Sequence, residues 1–193
     1  MRSTVERKRE GRAGALPPDE RRAAIIRATL PLLLEHAEMV TTRQIAEAAG
    51  IAEGTIFRVF ADKDEVIAAV VDEACDPAPM EAALSGLDAS RPLDALLGAA
   101  VSLLQTRTIE IWRLLSSVGP RFHERARRPM DSPALTRLLA AHRAEISLPP
   151  AEAARRLRAL TLATTHPMLN DKPLPPSQIV RLFLHGVSRS HPC

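Results

Sequence analysis

Apolar residues recur every three or four positions along most of this chain, and proline or glycine cuts that pattern often enough to define separate helices. Pro17-Pro18-Asp19 introduces a first helix that offers Ile25, Ile26, Leu32 and Leu33 on one face, with Pro31 inside it to remove one hydrogen bond. Thr41 to Gln44 has the T-x-x-Q form of a capping box, so a second helix begins at about Thr42 and buries Ile45, Ala46 and Ala49. Gly50 stops it, and Glu53 to Phe60 reads as a third helix with Ile56 and Phe60 one turn apart on its buried side. Asp62 to Glu65 is another capping signal, and a fourth helix runs from about Lys63 through Val66, Ile67, Val70 and Val71.

Cys75-Asp-Pro-Ala-Pro79 breaks that helix and marks a boundary between a head and a larger body. Met80 to Leu87 is a short helix. Pro92 starts a long one through Leu93, Leu96, Leu97, Ala100, Leu103, Leu104, Ile111, Trp112, Leu114 and Leu115, which Gly119-Pro120 ends. A basic turn, Arg121 to Arg128, precedes a weaker helix from Ser132 to Ile146 carrying Leu135, Leu138 and Leu139. Pro149-Pro150 opens a helix through Ala153, Leu157, Leu160 and Thr164 that Pro167 closes, and a last helix carries Ile179, Leu182, Phe183, Gly186 and Val187. The organisation expected is an arm over 1–18, a head over 19–75 and a helical body over 76–193.

The composition agrees with an all-α reading. Aromatics are 3% of the chain and tyrosine is absent, so a core must be built from Ala, Leu, Ile and Val. A net charge of +3 is compatible with a polyanionic partner but is too small to argue for one by itself. The arm is locally basic, with Arg2, Arg7, Lys8, Arg9 and Arg12 against Glu6 and Glu10, and is either a solvated tail or a contact to phosphates and the minor groove. Two cysteines and the lack of any run of about 18 apolar residues place the expected protein in the cytoplasm, off the membrane. Six histidines are scattered without H-E-x-x-H, a phosphate loop or G-x-S-x-G, so neither an enzyme nor a cofactor or metal is expected.

Residues 41–63, TTRQIAEAAGIAEGTIFRVFADK, form a helix-turn-helix pattern. The stretch resembles the DNA-binding motif of the TetR family of bacterial transcriptional repressors, T-x-x-x-I-A-x-x-A-G-I/V-S-x-G-T-L-Y-x-x-F-x-x-K. The matches are Thr41 or Thr42, Ile45, Ala46, Ala49, Gly50, Ile51, Gly54, Thr55, Ile56, Phe60 and Lys63, in register without gaps. Two positions depart from the pattern. Ala52 replaces the serine that caps the recognition helix, a loss of typically about 1 kcal/mol. Phe57 replaces a tyrosine that donates its hydroxyl to a phosphate.

The resemblance implies an N-terminal three-helix DNA-binding domain followed by a helical ligand-binding and dimerisation domain. It places Thr42, Arg43, Gln44, Glu53, Gly54, Thr55, Phe57, Arg58 and Lys63 at double-stranded DNA, with Arg43 and Thr55 in the major groove, Glu53 and Arg58 as variable readers, and Thr42 and Lys63 on phosphates. It implies a small-molecule effector in the body, for which Met80, Leu104, Trp112, Phe122, His123, Met130 and His166 are candidate wall residues. It also implies a homodimer through the last two helices, at Ala153, Leu157, Leu160, Thr164, Ile179, Leu182, Phe183 and Gly186. The expected function is a repressor released from a near-palindromic operator by its ligand. The alternative is a helical binding module that keeps the motif as scaffold, and Ala52 with Phe57 are the residues that favour it.

Overall fold

The computed structural model describes residues 17–126 and 130–187, so the basic arm, the end of the Arg121–Arg128 run and Cys193 lie outside the described residues. Within them the chain forms nine α-helices: α1 Pro18–His36, α2 Thr42–Ala48, α3 Glu53–Ile56, α4 Lys63–Ala74, α5 Ala78–Ser85, α6 Leu93–Ser117, α7 Pro133–Ala141, α8 Pro150–Thr165 and α9 Pro176–Val187. Prolines sit in the first turn of α1, α5, α7 and α8, where a missing N–H costs nothing. α1 continues through Pro31 and ends at Ala37, whose positive φ of 51° turns the chain toward α2.

Helices begin where side chains supply the missing bonds. The Asp62 carboxylate accepts the Glu65 N–H at 2.8 Å. The Glu65 carboxylate reaches back one residue beyond the usual box, to the Ala61 N–H at 2.6 Å. The Thr41 box is complete, as described below.

Two apolar cores result. The head core packs Ile25, Leu33, Ile45, Ile56, Phe60, Val66 and Ile67. The body core packs Leu84, Leu96, Leu97, Ala100, Leu135, Leu139, Ala153 and Leu157. The 25-residue α6 serves both, because its first half lies in the body core while Leu114, Val118 and then Phe122 complete the head core.

Ion pairs flank that junction: Arg121 reaches Asp64 at 2.8 Å and Glu38 at 3.4 Å, and Arg125 pairs with Asp72. All are about half exposed, so each is worth at most about 1 kcal/mol. Burying Leu114, Val118 and Phe122 contributes about 1.5–3 kcal/mol apiece, and apolar burial therefore dominates the attachment of the head.

Three expectations need correction. α3 is one turn long rather than extending to Phe60, α7 stops at Ala141 instead of Ile146, and the helix after the break spans Ala78–Ser85 rather than Met80 to Leu87. For α3 the cause is local. It has no side-chain cap, it contains Gly54, and beyond Ile56 the backbone tightens into turns in which Arg58 N–H bonds the Thr55 carbonyl at 3.2 Å.

Candidate nucleic-acid interface and body cavity

The turn between α2 and α3 is built by three sequence features. The Thr41 hydroxyl accepts the Gln44 N–H at 3.2 Å while the Gln44 side-chain oxygen accepts the Thr41 N–H at 2.8 Å, closing the capping box. Gly50 then adopts φ +65°, a left-handed conformation that a side chain resists, and the Ile51 N–H returns to the Ala46 carbonyl at 3.0 Å. Ala52 is extended, at φ −70° and ψ 141°, and starts α3 without offering it an acceptor from its side chain.

Outward from this turn stand Arg43, Glu53, Gly54, Phe57 and Arg58, all exposed, with Thr42, Gln44 and Thr55 half-buried between them. No acid pairs with Arg43 or Arg58 among the described residues. Their guanidiniums remain available to an external acceptor. Gly54 opens onto free space, so a flat partner can approach the α3 backbone there.

The remaining candidates are partly committed to the protein itself. The Thr42 hydroxyl donates to the Glu53 carboxylate at 2.5 Å, tying the first turn of α2 to the first turn of α3. Glu53 is well placed there, since a negative charge is favourable at a helix N-terminus. Lys63 donates to the carbonyls of Glu38 at 3.0 Å and Val40 at 3.1 Å, closing the α1–α2 loop with two of its three N–H bonds. Gln44 uses its oxygen in the cap.

In the body, α4's end, α5, α6 and α8 surround a cavity of about 570 Å³. Five of the residues named from sequence line it: Met80, Leu104, Trp112, Met130 and His166. Phe122 and His123 do not. Phe122 is buried in the head core, and the His123 ring lies on the Leu115 carbonyl at 2.9 Å.

Sequence reasoning passed over the charged wall, Arg107, Arg158, Glu81 and Asp131, because charges on a helix ordinarily signal a solvated face. Burial pushes the Arg158 guanidinium below the usual arginine value, and the neighbouring Glu81 and Asp131 carboxylates partly restore it. Arg107 donates to the carbonyls of Ala74 and Asp76, the latter at 3.2 Å, and so holds the C-terminal end of α4. The wall itself includes Cys75, Asp76 and Pro77, so an occupant would touch the end of the helix whose first residue is Lys63.

The candidate dimer face also needs revision. Ala153, Leu157, Ile179 and Phe183 fill the body's own core and are inaccessible to a second copy. Leu160 and Thr164 are half-buried, while Leu182 is 52% exposed. Gly186 falls within α9, but its surroundings lie outside the described residues. The apolar surface left outward on this pair of helices comprises Ala159, Leu162 and Ala163 of α8 and Leu182 of α9. Beside them, the loop after α8 exposes Met168 and Leu169.

Among the described residues no three His, Cys, Asp or Glu side chains group as metal ligands, and no helix is long and apolar enough to cross a membrane. Residues 25–70 match the family model for bacterial regulatory proteins of the tetR family. No curated protein sequence matches.

Solved structures show the same fold over most of the chain. A putative TetR-family transcriptional regulator from Mesorhizobium loti is 16% identical over 91% of this chain and 100% of its own, with a TM-score of 0.67. NalD, the secondary repressor of the MexAB-OprM multidrug efflux pump in Pseudomonas aeruginosa, is 23% identical over 90% and 100%, with a TM-score of 0.54. SmeT, repressor of the Stenotrophomonas maltophilia multidrug efflux pump SmeDEF, is 20% identical over 87% and 90%, with a TM-score of 0.56.

Proposed function

We propose that this chain, whose residues 25–70 match the family model for bacterial regulatory proteins of the tetR family, is a regulator of that family that binds one near-palindromic operator as a homodimer and is released by a ligand in the body cavity. The observation that carries the DNA half of this reading is the pair Arg43 and Arg58 on either side of the α2–α3 turn, exposed and, among the described residues, unpaired by any acid. An arginine fork reads guanine through two hydrogen bonds, worth about 1–3 kcal/mol of discrimination. Thr55 lies between them. Thr42 and Lys63 would meet phosphates with the donor capacity left after their internal bonds.

The dimer would form through the outward faces of α8 and α9, with Leu182 central. A two-fold pair sets its recognition helices about 34–36 Å apart or a multiple of that, which requires two matched half-sites. A ligand acts through α4: its end and Arg107 form part of the cavity wall, and its start carries the head. Occupancy shifts the heads only to the extent that the ligand prefers the released arrangement. The repressor role draws on NalD and SmeT, both named as repressors.

The test is binding of the purified protein to fragments of its own upstream DNA at two salt concentrations, beside Arg43→Ala. Tight, salt-dependent binding to one site, with the preference relaxed in the variant, supports the reading. Weak binding indifferent to sequence favours the second reading, a helical binding module with the motif as scaffold. The Thr42–Glu53 bond, the engaged Lys63 and the hydroxyl-less Phe57 are what favour that alternative.

A further inference from the structure

Most polar groups around the body cavity already have partners within the protein. Arg107 is spent on the end of α4, the Asp76 carboxylate accepts the Ala78 N–H at 2.9 Å, and Glu81 accepts the Ala134 N–H at 2.8 Å. Asp131 receives Arg155 on its carboxylate at 3.2 Å and Arg158 on its carbonyl at 2.6 Å. Three carboxylates, Asp76, Glu81 and Asp131, line the cavity with two guanidiniums, Arg107 and Arg158, and Arg155, outside the lining, brings a third to Asp131.

Two groups stand apart: the Thr161 hydroxyl, which is buried without a partner among the described residues, and His166. The Met168 N–H donates to its Nδ1 at 3.3 Å, so in the neutral ring that nitrogen is the acceptor and the proton sits on Nε2. The ring packs on Trp112 with centroids 4.2 Å apart and planes tilted by 60°, and both residues line the cavity. With Nδ1 occupied by the Met168 N–H, Nε2–H is the donor the ring has left. Among the described residues nothing accepts from it. The surroundings are apolar: Leu104, Ile111, Leu115 and Leu162.

We infer that the cavity selects uncharged, mainly apolar molecules that carry a hydrogen-bond acceptor, such as a carbonyl oxygen, which His166 Nε2–H receives beside Trp112. This rests on the reading of the cavity as a ligand site and adds the chemistry by which that site chooses. A hydrocarbon of the same shape leaves the N–H unpaired, and an ammonium brings a second donor to a donor.

Equilibrium dialysis with three probes of one shape tests it: 2-acetylnaphthalene, 2-isopropylnaphthalene and 1-(2-naphthyl)ethylammonium. The ketone should bind about tenfold tighter than either of the others, the usual consequence of leaving a buried donor unsatisfied. His166→Phe keeps a ring against Trp112 and should abolish the preference while leaving affinity for the hydrocarbon unchanged. His166→Gln, which returns an N–H donor, should restore part of it. Equal binding of ketone and hydrocarbon, tighter binding of the ammonium, or a preference that survives in His166→Phe overturns the inference while the cavity remains a ligand site. Failure of all three probes to bind overturns both. Should His166→Phe not fold, the wild-type comparison decides alone.

Discussion

Ala52→Ser isolates the weakest joint of the helix-turn-helix. Ala52 already has the extended backbone of a helix cap but no side-chain acceptor, and α3 behind it is a single turn. A serine hydroxyl would face the first-turn N–H groups. One of these, Thr55 N–H, already bonds the Ala52 carbonyl at 2.8 Å, so the new oxygen mainly gains the Gly54 N–H. A full cap is worth about 0.5–2 kcal/mol; with one donor already engaged, we expect about 0.5–1 kcal/mol. In a chain of this size that raises Tm by about 1–4 °C, measured by circular dichroism at 222 nm with Ala52→Val as the control that adds bulk but no acceptor. If part of the DNA-binding cost is ordering α3, affinity should also rise, by no more than about fivefold. An unchanged or lower Tm, or the same gain in Ala52→Val, would refute the view that α3 lacks a cap.

Lys63→Met removes two hydrogen bonds from a charged donor to the α1–α2 loop, and should lower Tm by several degrees as well as weakening DNA binding alike for all sequences; lost DNA affinity at constant Tm would show that the lysine only meets phosphate. Glu53→Gln keeps an acceptor for Thr42 but removes a negative charge from the face proposed to meet DNA, and should strengthen binding about two- to fivefold for every sequence in gel-shift titrations. Weakening at one base position alone would instead make Glu53 a base reader. Leu182→Asp should leave a folded monomer in sedimentation velocity, whereas Leu157→Asp buries an unpaired charge, costs several kcal/mol and unfolds the chain. A dimer persisting in Leu182→Asp would move the interface elsewhere.

Element order was legible because punctuation was explicit. Thr41 with Gln44, Gly50, Asp62 and the prolines opening α1, α7 and α8 each carry a backbone reason for a helix to start or stop. The length of α3 was not, since Ile56 and Phe60 are both buried whether the backbone between them is α-helical or a run of tighter turns. At the surface of the body, the stripe Ala153, Leu157 showed that one face of α8 is buried but not against what, and the partner proved to be the chain's own core. The opposite face mixes Leu162 with Arg155 and Arg156 and gives little periodic signal. Phe122, a candidate for the cavity wall on sequence, instead plugs the head core from within a basic turn. In the cavity, Trp112 was recoverable as the one large aromatic in the middle of the body helices, while Arg107 and Arg158 were hidden by the ordinary expectation that charge means solvent.

The sharing of α6 between two cores bears on how such proteins can be recombined. A reading head grafted onto a foreign body with a cut at Cys75 would arrive without Leu114, Val118 and Phe122, three large pieces of its own interior. The smallest transplantable unit is therefore discontinuous: residues from α1 to Cys75 together with the last turns of α6 and the turn that follows. A host body must accept that inserted segment as well as the head, which limits which bodies a new DNA specificity can be moved onto.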